Sequence, residues 1–383
     1  MAFQVSPGVN VSEVDLTNVV PQVASTTGAF AGAFQWGPIE QRVLIDSELS
    51  LVDRFGRPDD DTATDFLTAS SFLAYGNALY VARVANSSAL NASSNTTGVL
   101  IKNELHYDES VSPSLDTEWI AKYPGALGNS LKVSFVDSLG NTDAYAVATY
   151  HGTAEFSDLF SSVPGTSDYV SERGGSNDEL HVVVIDEDGA WTGTAGTVLE
   201  SFEGVSKASD AKSADGTSNY YKNVINNQSE YIWFGAHTDS VNTATWGTAS
   251  SGTAYANLDS VVSTSLSGGA DGNQDVNKVV ANGGYNLFAS PEDVDVSLLI
   301  AGAANSTVVG SIIDLAVARK DCLAFFSPER ADVVNNAGSE VTDIKAFKDS
   351  VNRDTSYAVM DSGWKYQYDK YNDIYRYVPL NGD

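Results

Sequence analysis

The chain has 383 residues, with 50 acidic and 21 basic side chains and a formal net charge of −29. That balance excludes a nucleic-acid partner, which needs a basic stripe to neutralise phosphates, and it repels an anionic membrane surface. At 42% hydrophobic residues the chain can still bury a core, so it is no disordered acidic tail. The single Cys322 leaves neither an intramolecular disulfide nor a thiolate zinc site. No window approaches the ~20 apolar residues of a membrane span, and Met1 to Pro7 lacks the charged and apolar regions of a signal peptide.

In chain order, residues 1–22 read as an extended arm. Pro7 pushes Ser6 toward extended geometry, Gly8 follows, and Val9, Val11, Val14 and Leu16 recur with strand-like spacing but no partner strand close in sequence. Residues 28–38 alternate small side chains with Phe30, Phe34 and Trp36 and stop at Gly37-Pro38. Asp59 to Thr62 predicts a helix start, carried on by Phe66, Leu67, Ser70, Leu73 and Ala74 and stopped at Gly76. Leu79 to Val84 reads as a strand. Residues 86–98 read as a polar low-complexity linker, whose three Asn-x-Ser/Thr sequons are attributed to composition.

Residues 99–270 predict a β-rich unit with generous loops, its strands at 131–136, 180–185 and 231–234. The acidic run Asp186, Glu187, Asp188 is expected to be a solvated loop. From residue 286 the rhythm changes. Strands at 294–300, 322–326 and 357–360 alternate with helical stripes, the first from Val308 to Val317 and the second made of Val341, Ile344, Phe347 and Val351. Strand-helix-strand-helix-strand predicts parallel strands. The fold class is therefore α/β plus β-rich and multidomain: an extended arm, a βαβαβ unit, and a β-rich inserted domain.

Motifs for chemistry are missing. No Walker A sequence, GxSxG elbow or HExxH occurs, and Ala301 to Asn305 is not GxGxxG. His106, His151, His181 and His237 are too scattered for a metal. Asp271 to Asn277 places oxygens like a calcium loop but has Val276 and Asn282 where glycine and glutamate are required. Cys322 reads as a small buried hydrophobe. No catalytic, cofactor or metal residue is assigned. Ser327 to Arg330 and Asp361 to Gly363, after the second and third strands, are the places where a crevice would form, and turn chemistry accounts for them equally.

The stretches without chemistry carry a resemblance. Ser6 to Val9, residues 28–38, Phe72 to Asn77 with Val81 to Val84, Tyr123 to Asn129, Val294 to Gly302, Asp321 to Leu323 with Ser327-Pro328, and Lys365 to Asp373 resemble, in order, the contractile tail sheath proteins of T-even-type bacteriophages. The resemblance implies a structural subunit, without catalysis or cofactor, that polymerises helically around a tail tube and contracts to drive it through the host envelope. It implies further copies of the chain, a tube protein, and baseplate and tail terminator proteins as partners, a place in the virion, and assembly in the host cytoplasm. It implies that the arm adds a strand to a sheet of a neighbouring subunit. Pro7, Gly8, Trp36, Gly37, Pro38, Pro124, Gly125, Tyr366, Tyr368, Asp369 and Tyr371 are the structural residues of its motifs.

On this reading residues 23–98 begin the inner sheath domain and end in the linker. Residues 99–270 form an acidic outer domain, and 271–383 return to the inner one. The C-terminal tube-contacting domain of the family is expected to be absent, since the family continues beyond the aromatic segment. Residues 99–270 hold 23 acidic and 7 basic side chains, an acidic outer coat. The alternatives are a related contractile bacteriocin or secretion sheath, an acidic hydrolase or transferase using Gly302 or Ser327, and an adhesin built on the β-rich unit.

Overall fold

The computed structural model describes residues 26–95, 97–111, 117–236, 244–272, 278–280 and 282–383. The predicted arm, with Pro7, Gly8, Val9, Val11, Val14 and Leu16, lies outside them, as does His237.

The described residues open with β1 (Gly28–Gly32), β2 (Arg42–Ile45), α1 (Glu48–Phe55), α2 (Ala63–Leu73) and β3 (Leu79–Arg83). Asp59 accepts hydrogen bonds from the Asp61 and Thr62 amides and the Thr62 hydroxyl, so it organises the turn ahead of α2. The middle of the chain supplies β4 (Trp119–Ala121), β5 (Leu131–Val136), β6 (Glu179–Asp186), β7 (Thr197–Ser206), α3 (Tyr221–Gln228), β8 (Ile232–Phe234) and β9 (Val262–Ser265). The last part supplies β10 (Leu298–Ile300), α4 (Ser306–Arg319), β11 (Leu323–Phe326), α5 (Glu340–Val351), β12 (Ala358–Met360) and a hairpin of β13 (Trp364–Asp369) and β14 (Ile374–Pro379).

One six-stranded sheet draws on both ends of the chain, in the order β12-β11-β10-β1-β3-β2. Every pairing in it is parallel except that of β2 with β3. β1 is buried along its whole length because both its faces are covered. Ala29, Ala31, Leu299 and Ala324 meet α4 and α5 through Val309, Ile312, Ile313 and Phe347. On the opposite face Phe30, Val81 and Ile300 meet α1 and α2 through Leu51, Phe55, Phe66 and Leu67.

A second, antiparallel sheet has the order β9-β5-β6-β7. Leu180, Val182 and Val184 point into a core with Trp119, Tyr221 and Trp246, while Val183 and Ile185 point to Tyr145, Phe156 and Phe160. Two covered faces explain the continuous apolar run Val182 to Ile185 of β6. The molecule is thus a mixed α/β structure with several sheets.

Four expectations are corrected. Residues 86–98 are no linker: Ala89, Asn91, Ala92 and Ser93 are fully buried. The Leu90, Asn91 and Ser93 amides reach the Ala270, Val99 and Ser267 carbonyls, and the Asn91 side chain bridges Ala121 O and Ile101 N. The polar side chains here serve a backbone woven between strands. The strand expected at 294–300 pairs only at Leu298–Ile300, because the buried Arg319 guanidinium takes the Phe288 and Val294 carbonyls of the lead-in. Val341 is 66% exposed, since only the C-terminal half of α5, through Phe347 and Val351, reaches the core. Asp186 is fully buried rather than solvated. It accepts from Ser130 Oγ, the Trp191 and Thr192 amides, and Thr192 Oγ1, which together replace its water shell.

Candidate functional site

The motif residues gather in two places, and neither is a reaction centre. The first is the joint between the parallel sheet and the β-rich unit. Trp36, Gly37, Pro38, Pro124 and Gly125 are all buried there. Arg83, the last residue of β3, is 1% exposed and donates to Gly37 O at 3.0 Å, Pro124 O at 2.6 Å and Gln35 O at 3.4 Å. Burial pushes its pKa down to about 10, a shift that nearby Asp271 opposes. Asp271 in turn accepts the Ala126 amide at 2.9 Å, and burial raises its pKa. Gly125 has φ +150°, and a Cβ there would lie 2.3 Å from Gln35 O, so only glycine fits. Trp36 stands edge-on to Tyr123 and Trp191, with ring centroids 5.5 and 4.8 Å away. These contacts weld two units and expose no nucleophile.

The second place is the hairpin against α2. One face of it packs inward. Val378 is buried, Lys365 donates to Ser71 Oγ at 2.7 Å, and Asp369 accepts from Arg376 Nε at 2.8 Å. Tyr371 lies edge-on to Phe66 and donates to Glu48 at 3.0 Å, and burial raises its pKa. Tyr366 and Tyr368 project from the opposite face.

An open α/β sheet binds ligands beyond its strand C-termini, at the point where strand order reverses. Here that point lies between β1 and β10, and it is filled. Asn381 donates to Gly302 O and Ser327 Oγ at 3.0 and 2.9 Å and accepts the Gly302 amide at 3.0 Å. Ser327 Oγ also donates to Asp361 at 2.6 Å. Beside it Lys278 pairs with Asp65 at 2.5 Å, and the other Asp65 oxygen accepts the Ala33 amide at 2.8 Å. The residues that an enzyme would turn toward substrate are committed to protein partners.

Among the described residues no group of three or more His, Cys, Asp or Glu is placed to hold a metal, and no helix is long and apolar enough to cross a membrane. His181 is buried. Its Nε2 faces Ser162 O at 2.9 Å and its Nδ1 accepts the Gly204 amide at 3.0 Å, and burial lowers its pKa. Burial pushes the Cys322 thiol up to about 11.

The comparisons agree with a structural reading. Residues 25–84, the segment from β1 to β3, match the family model for the tail sheath protein Gp18 domain III N-terminal region. The whole chain is 29% identical to the tail sheath protein of Salmonella phage ViI, covering 69% of that protein. It is 28% identical to the tail sheath protein of Enterobacteria phage T4 and 25% identical to that of Vibrio phage KVP40, each over 99% of this chain and covering 71% and 72% of them. Its relatives along the whole length are phage tail sheath proteins.

Solved sheath tail proteins from Listeria innocua and Desulfitobacterium hafniense align at 14% and 11% identity with TM-scores of 0.43 and 0.45. This chain covers 48% and 59% of their lengths, and they cover 80% and 97% of it. Its role is structural rather than enzymatic. Sequence reasoning did not single out Arg83 or Asn381. The available signal for Arg83 was a lone charge inside the apolar run Leu79 to Val84. For Asn381 there was none, because its partners lie 54 and 79 residues away.

Proposed function

We propose that this chain is a subunit that polymerises helically around a tail tube in the virion, with tube, baseplate and tail terminator proteins as partners and assembly in the host cytoplasm. The observation that carries this is the match to tail sheath proteins along 99–100% of the chain. The relatives matched by sequence along the whole chain are phage proteins, which favours a phage tail over a bacteriocin or secretion device. The filled crevice supports the same reading against an α/β enzyme.

A head-to-tail contact that does not close generates a helix of subunits, and contraction requires a second packing of the same subunits. Residues 1–22 are the segment for strand addition to a neighbour, through Val9, Val11, Val14 and Leu16. Main-chain hydrogen bonding holds such a contact while subunits rotate. Residues 99–270 form the acidic outer unit.

Electron microscopy of the purified particle, labelled with an antibody to residues 99–270, tests the reading. Regular labelling along a shaft that shortens and thickens is expected, and labelling confined to fibres overturns it. Deleting residues 1–20 is expected to leave the thermal transition intact and to abolish sheath assembly. Normal tubes from that variant remove the arm's role.

A further inference from the structure

The sheet register lines up Phe30 of β1, Ile300 of β10, Phe325 of β11 and Val359 of β12. Residues in register share a face, so these four form one apolar row on the side of α1 and α2. Burial fades along it. Phe30 and Ile300 are buried, Phe325 is half-buried and Val359 is 44% exposed. On the other face Ala29, Leu299 and Ala324 are fully buried in the core that α4 and α5 share. A parallel sheet is ordinarily covered on both faces. Here the helices cover only the β1 side of the row. Beside α2 lies a groove of about 320 Å³, with Leu298, Ile300 and Phe325 as its floor and Phe72 and Tyr75 as a wall.

The chain itself enters the sheet at this groove. Thr26 lines it, and Thr27 O accepts the Ser297 and Leu298 amides at 2.8 and 3.1 Å, which fixes the entry beside β10. The sequence places 25 residues ahead of Thr26. Extended chain advances about 3.3 Å per residue and neighbouring strands lie about 4.8 Å apart. Val23 can therefore reach roughly 10 Å from Thr26, two strands on, to Phe325. Pro21 can reach β12 and Val359. The composition suits an apolar floor, since residues 16–27 carry no charged side chain in a chain that is 19% charged. Pro21 lacks the amide that a strand ladder needs, and a segment crossing a sheet face does not need it.

We propose that residues 21–25 fold back across β10 and β11 of their own chain and fill this groove, with Val23 against Phe325. Val9, Val11, Val14 and Leu16 stay available to a neighbour. The docking stands without the sheath reading. Its consequence, an arm rooted so that a pull on it reaches the six-stranded sheet, rests on that reading.

The full chain with p-benzoylphenylalanine in place of Tyr75 tests it. Equal amounts of light and heavy-isotope protein are mixed and illuminated below the concentration for polymerisation. The expected product joins position 75 to residues 21–25 within one isotope form. Val23→Asp is expected to cut its yield at least about tenfold, because the groove leaves a carboxylate unpaired. Deleting residues 1–20 is expected to keep it. Products that mix the isotope forms overturn the proposal in favour of a second copy. The absence of a product at residues 21–25 overturns it too, as does a wild-type yield from Val23→Asp. Particles without a sheath, from a chain that gives the expected product, overturn the sheath reading and the consequence for the arm but leave the docking in place.

Discussion

Single buried charges hold this molecule's joints, and their cost is set by what they touch. Arg83 saturates three carbonyls from two segments that the sequence separates by more than 80 residues. Arg83→Met keeps most of the volume but orphans those carbonyls. It is expected to lower unfolding free energy by about 3 kcal/mol in urea titration, the scale for breaking buried charge-assisted bonds. Asp186 shows why such residues evade sequence reading. In the run Asp186, Glu187, Asp188 the three are chemically alike, yet only the first is buried and bonded four times. Composition describes the run, and only long-range partners distinguish its members.

Glu118 gives a pH test. Burial pushes its carboxyl up to about 7 from the ordinary 4.5. Between those values the folded chain holds a proton that the unfolded chain has released. Stability on this account is full below about 4.5 and declines as pH climbs to 7. Glu118→Gln is expected to flatten that part of the melting-temperature profile and to stabilise the protein at pH 8 by at most about 3 kcal/mol. An unchanged slope between pH 5 and 7 removes Glu118 as its source.

At the scale of elements, periodicity was legible wherever one element buries one face. Residues 131–136, 180–185 and 308–317 read correctly because apolar side chains recur at strand or helix spacing. β7 was not legible. Glu200, Glu203 and Gly204 interrupt its alternation, and register shifts break its pairing with β6. Residues 86–98 misled for the opposite reason: small and polar side chains look solvated until their backbone partners are known.

The crevice filler is likewise a long-range matter. Asn381 is held against Gly302 and Ser327 by three hydrogen bonds, and a Cβ on neighbouring Gly382 would sit 2.5 Å from Thr68 O. Asn381→Ala is expected to cost about 2 kcal/mol by leaving buried groups unpaired. It is also expected to speed amide exchange at Gly302 well above that of Ile312 in α4. Equal protection at both sites would show that the turn stays seated without its side chain.

For the molecule as a whole, the six-stranded sheet binds the two ends of the chain together, with the β-rich unit between β3 and β10. The resemblance to sheath proteins was readable because its motifs recur in order along the chain. Where those motifs meet was not, since the Trp36 and Tyr123 segments touch only in the fold.

The net charge acts at this scale too. A polymer of −29 subunits assembles against its own repulsion, and the Debye length falls from about 30 Å at 0.01 M salt to about 8 Å at 0.15 M. The concentration needed for polymerisation is therefore expected to fall as salt rises across that range, measured by sedimentation of the full chain. A threshold that rises with salt would mean that attraction between opposite charges, rather than relief of repulsion, governs how copies meet.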